Sequence, residues 1–111
     1  MNIEQLKILK MAQELVENPL TQTRTMSGGT VYELSRGHEN TVCFWYDSGH
    51  IMINRYRSSH DNNRYNSHHC VDGPAYFEMT NAGYIAIFYF LDNQEMPLKR
   101  WQEERLKWIS N

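Results

Sequence analysis

The chain has 111 residues, of which 41% are hydrophobic and 22% charged, and a formal net charge of −2 at pH 7. These values are typical of one globular domain, here residues 1–111, and they argue against a basic nucleic-acid binder and against an acidic mimic of DNA. The longest apolar run, residues 84–91, is too short to span a bilayer, so we expect a cytoplasmic protein with no membrane partner and with Cys43 and Cys70 as free thiols.

The first predicted element is a helix over residues 2–18. Its apolar residues recur at helical spacing: Ile3, Leu6, Leu9, Ala12, Leu15 and Val16. Asn2 can cap this helix, and Pro19 ends it because the residue before a proline is disfavoured in the α region. Residues 20–29 are predicted to be a polar connector, and residues 30–34 a short strand.

The centre of the chain contains the same predicted β-hairpin twice. Three residues of the first hairpin, Gly49, Ile51 and Ile53, recur 34 positions later as Gly83, Ile85 and Ile87. Phe44 recurs 33 positions later as Phe77, which predicts a second turn one residue longer than the first. The predicted strands are residues 41–46, 51–56, 75–79 and 84–91. The last is apolar on both faces, which predicts a central or doubly covered strand.

A second helix is predicted over residues 98–109, with Pro97 at its start. Leu98, Trp101, Leu106 and Ile109 are expected to cover the 84–91 strand, with Trp101 in the core. The predicted fold is therefore α+β: an antiparallel sheet of four to five strands, with an N-terminal and a C-terminal helix packed on it.

One segment resembles a repeat of phage and bacterial proteins. His69-Cys-Val-Asp-Gly-Pro-Ala75, followed by a strand, a glycine turn, an aromatic strand and Asn93, is similar to the D-G-P-A pattern of MORN-type repeats. The matching residues are Asp72, Gly73, Pro74, Ala75, Gly83 and Asn93. The resemblance covers about residues 68–96, implies a meandering antiparallel sheet and transfers no catalytic residue.

Residues 57–73 are predicted to be a long loop, exposed and part of a contact surface. This loop contains zinc-ligand residue types: His60, Asp61, His68, His69, Cys70 and Asp72. Their spacing matches no zinc motif, and adjacent histidines on a strand point apart, so we expect no metal and no cofactor. A small metal-dependent enzyme centred on this loop remains an alternative.

Arginines and aromatic residues alternate at the start of the same loop. The predicted partner-binding residues are Arg55, Tyr56, Arg57, His60, Arg64, Tyr65 and His68. Protein interfaces and single-strand nucleic-acid sites both use this combination, and the acidic net charge favours a protein partner. The predicted function is a non-enzymatic protein-binding module, such as a phage or mobile-element inhibitor of a host or defence protein, in the manner of an anti-CRISPR or antitoxin. A single-stranded nucleic-acid binder is the second alternative, and a homodimer through an edge strand is also compatible with the sequence.

Overall fold

The computed structural model describes residues 2–57 and 67–109, and within them an antiparallel sheet and three helices. The helices are α1 (Ile3–Glu17), α2 (Leu98–Glu104) and α3 (Leu106–Ile109). The strands are β1 (Gln22–Met26), β2 (Gly29–Arg36), β3 (Glu39–Tyr46), β4 (Ile51–Arg57), β5 (Ser67–His68), β6 (Tyr76–Met79), β7 (Ile85–Leu91) and β8 (Gln94–Met96). The α+β class is confirmed, but the sheet has eight strands in the described ranges instead of the predicted four or five.

The sheet is a meander in the order β1-β2-β3-β4-β6-β7-β8, and all of its paired strands are antiparallel. One edge of β4 is shared by two partners. Residues 51–54 of β4 pair with β6, whereas residues 56–57 pair with the short strand β5. The segment that follows β5 is thereby held beside the end of β4.

The two central hairpins close with the same hydrogen bonds. These are Tyr46 N–H to His50 O at 2.8 Å and Thr80 N–H to Tyr84 O at 2.9 Å. Gly49 and Gly83 have φ of +99° and +91°, values that glycine adopts without a steric penalty. Since the turns have equal length, the predicted longer second turn is wrong. The match of Phe44 with Phe77 was shifted by one residue, and such a shift reverses the face on which a side chain lies.

Both α1 and α2 pack on one face of the sheet. The core under α1 contains Ile8, Ala12, Leu15, Cys43, Ile51, Ile53, Phe77 and Met79. Trp101 of α2 packs with Leu91 and Met96, and Tyr89 lies against this second cluster. Tyr89 shares its side of β7 with Ile87, which pairs with Phe77 of the first cluster, so the two clusters lie on the same face. Among the described residues no helix packs on the opposite face, here called the helix-free face.

The C-terminal helix differs from its prediction. It is interrupted at Arg105, between α2 and α3. Trp101 is buried as predicted, at 6% exposure, but Leu98, Leu106 and Ile109 are exposed and do not cover β7. Two polar contacts replace the expected apolar face: Trp101 Nε1–H donates to Cys70 O at 3.0 Å, and Arg105 Nε–H donates to Val71 O at 2.7 Å.

Strands β1 and β8 lie at the two edges of the sheet, and neither was predicted. β1, with the sequence Gln-Thr-Arg-Thr-Met, is almost wholly exposed and replaces part of the expected polar connector. An edge strand needs backbone pairing on one side only, so it can form without an alternating apolar pattern. No helix of the described residues has the length and apolar character needed to cross a membrane.

Candidate functional site

The two adjacent histidines after residue 66 lie on opposite sides of the sheet, as their neighbouring positions predict. His68, in β5, lies between two aromatic rings on the helix-free face, 4.5 Å from the Tyr56 centroid and 5.0 Å from that of Phe90. His69 packs edge-on against Trp108 at 4.6 Å, on the helical side. Because the two imidazoles diverge, they cannot share one metal ion. In residues 2–57 and 67–109, no group of three histidine, cysteine or carboxylate side chains is placed to hold a metal.

Aromatic side chains lie on the helix-free face, where ring contacts join Tyr56, His68 and Phe90 in one group and Tyr76 with Phe88 in another. This surface, here called the aromatic face, consists of Tyr56, His68, Tyr76, Tyr84, Phe88 and Phe90. The Tyr76 and Phe88 rings come from paired residues of β6 and β7, with centroids 5.7 Å apart. Phe88 is 41% exposed and Tyr84 is 77% exposed, and they are the most exposed members of this face.

The Glu78 carboxylate lies beside the aromatic face and contacts two neighbouring side chains. Glu78 accepts a hydrogen bond from the Tyr76 hydroxyl at 3.1 Å through one oxygen, and the other oxygen is 2.6 Å from His50 Nε2. Burial raises the pKa of Tyr76 to about 12, and the adjacent Glu78 carboxylate acts in the same direction. Tyr76 is therefore a neutral donor at physiological pH, held in a fixed orientation.

The environment of His68 keeps its ring neutral. Burial lowers the pKa of His68 below its ordinary value, and a side-chain hydrogen bond between His68 and Asn93 opposes this only in part. Its Nε2 lies within hydrogen-bonding distance of Asn54 Oδ1, at 3.2 Å. Tyr56, His68 and Phe90 thus present a stack of uncharged rings on the aromatic face.

The helical side contains a cavity of about 380 Å³ between the C-terminal half of α1 and the segment after β5. We call it the interhelix cavity because α1 lines it and the segment opposite α1 is bound by Trp101 of α2. Its lining includes apolar side chains, two arginines, three carboxylates, a histidine and a thiol: Leu15, Leu34, Ile53, Arg36, Arg55, Glu14, Glu39, Asp72, His69 and Cys70. Arg55 is the partly buried cation of this set, whereas Arg36 and the carboxylates are exposed.

The Arg55 guanidinium contacts three neighbouring groups. Its Nη1–H group is 3.4 Å from both Cys70 Sγ and Pro74 O, and its guanidinium carbon lies 5.4 Å from the centre of the Phe77 ring. Arg55 makes no ion pair with a carboxylate of the described residues. A guanidinium fixed by weak contacts and by a ring face keeps donors for a further acceptor.

His69 and Arg57 form a separate cluster with Trp108 on the same side. The Arg57 guanidinium lies 4.8 Å from the centre of the Trp108 ring, and His69 Nδ1 accepts the Asp92 backbone N–H at 2.9 Å. Burial lowers the pKa of His69, the nearby charge of Arg57 lowers it further, and Asp92 opposes both effects. The ring is neutral with its proton on Nε2.

The structure divides the predicted partner-binding residues between two surfaces. Tyr56 and His68 lie on the aromatic face, while Arg55 and Arg57 project from the helical side because alternate residues of a strand point to opposite faces. The remaining three predicted residues lie outside the described ranges: His60, Arg64 and Tyr65. The predicted loop is interrupted by β5, and its residues 58–66 also lie outside those ranges.

Sequence reasoning missed Tyr84 and Phe88, the most exposed aromatic residues of the aromatic face. Their signal was present, since β7 is apolar on both sides. This pattern predicts a central or doubly covered strand, and β7 is central, between β6 and β8, but the helices cover only one of its sides. Cys43, in contrast, lies in the core as predicted, and burial raises the pKa of its thiol to about 12, which makes it a poor nucleophile.

The residues of the D-G-P-A pattern connect β4, β5 and β7. Ala75 N–H donates to Phe88 O at 3.0 Å, and Ala75 O accepts the Arg55 N–H at 2.8 Å. Asn93 has φ of +66° and exchanges hydrogen bonds with the backbone of His68. No protein-family model, curated protein sequence or solved structure matches this chain.

Proposed function

We propose that this protein is a small, non-enzymatic protein-binding module whose contact surface is the aromatic face. The observation that carries this proposal is the exposure of Tyr84 and Phe88 on a sheet face without a helix in the described residues. Tyrosine and phenylalanine bury a large area at a low cost in conformational entropy, which makes aromatic residues frequent anchors of protein interfaces.

The rigidity of the surface supports the same role. Phe88 belongs to a paired strand and contacts Tyr76, whose hydroxyl is bound to Glu78. His68 is fixed between Tyr56 and Phe90. Because these rings are already ordered, a partner that covers them loses little additional side-chain entropy.

A protein partner is favoured over single-stranded nucleic acid by the placement of charge. Strand-binding surfaces combine stacking rings with a basic groove that follows the phosphates. Here Arg55 and Arg57 lie on the side opposite Tyr56 and His68, so these two arginines add no positive charge to the aromatic face. That the partner is a host or defence protein stays a prediction from the sequence.

The experiment compares two surfaces of similar apolarity. The Tyr84→Ser/Phe88→Ser double variant changes the aromatic face, and the control Leu6→Ser/Leu98→Ser changes two exposed apolar residues of α1 and α2. Partners are captured from an extract of the source organism with wild-type protein, and their binding to each purified variant is then measured by interferometry.

If the aromatic face contains the hot spot, the double variant loses about 30-fold or more in affinity, which corresponds to roughly 2 kcal/mol. The control stays within about threefold of wild type, and both variants keep the wild-type circular dichroism spectrum. Equal binding by the double variant would refute the proposal. Salt-sensitive binding to single-stranded oligonucleotides, lost in the double variant, would assign the face to nucleic acid instead.

A further inference from the structure

The interhelix cavity has an apolar inner wall and charged side chains, and the protein-binding proposal does not involve them. Its inner wall is apolar, formed by Leu15, Leu34 and Ile53, and Arg55 adds a partly buried guanidinium. Its volume of about 380 Å³ is in the range of small-molecule sites, roughly 300–1,000 Å³. The cavity therefore combines a suitable size with a cation that has hydrogen-bonding capacity left.

Arg55 is suited to hold a carboxylate. The contacts of Nη1 with Cys70 Sγ and Pro74 O, and the Phe77 ring beneath the guanidinium, fix the plane of the group. A planar guanidinium that makes no ion pair within residues 2–57 and 67–109 has the geometry to bind a bidentate anion such as a carboxylate. Partial burial strengthens such an interaction, since the local dielectric constant is lower than that of water.

The exposed charged side chains that line the cavity indicate which charge the other end of a ligand would carry. Glu14, Glu39 and Asp72 outnumber Arg36 there. A phosphate dianion placed at Arg55 would be repelled by these three carboxylates. A ligand that has a carboxylate at one end and an ammonium at the other would be attracted to both the inner cation and the outer carboxylates.

We infer that the interhelix cavity is a binding site for a small zwitterion of the free amino acid class. The ligand carboxylate pairs with Arg55, its ammonium group faces Glu14, Glu39 and Asp72, and its side chain lies against the apolar wall. Arg55 and the apolar wall lie on the side of the sheet opposite the aromatic face, although Tyr56 of that face also lines the cavity, and the inference does not rest on the proposed protein-binding role.

The test is isothermal titration calorimetry of the full chain with each of the standard L-amino acids. For every amino acid that binds, three further probes are titrated: its amide, which lacks the carboxylate, its N-acetyl form, which lacks the ammonium, and inorganic phosphate. The variant is Arg55→Gln, and its matched control is Arg57→Gln, an arginine of the same strand and face that lies outside the cavity lining.

The expected result is binding of at least one amino acid, with an affinity loss of about tenfold or more for the amide, the N-acetyl form and Arg55→Gln, and about twofold or less for Arg57→Gln. If Arg55→Gln unfolds, the exposed triple variant Glu14→Gln/Glu39→Gln/Asp72→Asn decides, with the same tenfold loss expected. No binding of any amino acid, tighter binding of phosphate, equal binding of the N-acetyl form, or unchanged affinity in these variants would overturn the inference.

Discussion

Replacing Trp101 by alanine tests how the C-terminal helices are attached to the sheet. The indole is 6% exposed, its centroid lies 4.9 Å from that of Tyr89, and its Nε1–H group donates to Cys70 O at 3.0 Å. Removing a buried aromatic side chain of this size costs about 3–5 kcal/mol through lost burial and the cavity left behind. This is a large part of the roughly 5–15 kcal/mol that stabilises a typical domain.

At about 4 °C for each kcal/mol in a chain of this length, Trp101→Ala should lower Tm by roughly 10–20 °C in a thermal melt followed by circular dichroism. Trp101→Phe keeps a ring but removes the donor to Cys70 O, so it should cost about 1–2 kcal/mol. The comparison variant is Trp108→Ala, because Trp108 is 40% exposed and contacts Arg57 and His69, so its removal should lower Tm by less than Trp101→Ala does. If Trp101→Ala melted within about 3 °C of wild type, the helices would not depend on this anchor.

Two further perturbations test the histidine and glycine environments. The pKa of His69 is lowered on folding, so the unfolded chain binds more protons and stability should fall as the pH drops below about 6.5. His69→Gln should reduce the fall in Tm between pH 7 and pH 5, and an unchanged slope would contradict this. A Cβ at Gly29 would lie 2.5 Å from Trp45 O and 2.8 Å from Tyr46 Cα, so Gly29→Ala should destabilise by about 3 kcal/mol in urea unfolding. Gly73→Ala, with its nearest contact at 3.6 Å, is the control and should unfold at the wild-type midpoint.

The elements that the sequence predicted well are those with a strong periodic signal. Helix α1 is predicted to within a residue, because its apolar spacing coincides with a capping box in which Asn2 and Gln5 bond to each other's backbone. The central hairpins are predicted because a glycine marks each turn. The periodic pattern predicted the strands but did not define how the two hairpins align with each other. Phe44 and Phe77 were matched one residue out of alignment because both are apolar.

The candidate sites depend on long-range contacts that no local pattern contains. The cavity around Arg55 requires the end of α1, the end of β4 and the segment at Cys70 to meet, and these are far apart in the chain. The segment is held there by Trp101 and Arg105, which donate to the backbone carbonyls of Cys70 and Val71. Backbone acceptors have no sequence signature, so this attachment could not be predicted.

Strand β7 connects the fold to the proposed function. Its Ile85, Ile87, Tyr89 and Leu91 side chains face the helices, and its Ala86, Phe88 and Phe90 side chains face the other way. A strand with two apolar faces is ordinarily covered on both. Burial stabilises by about 25 cal/mol for each Å² of apolar surface removed from water, and an exposed aromatic side chain lacks this free energy. At position 88, 41% of the phenylalanine remains accessible although its ring contacts Tyr76. A partner that covers Phe88 and Tyr84 would recover that free energy, and this makes the aromatic face the surface to test first.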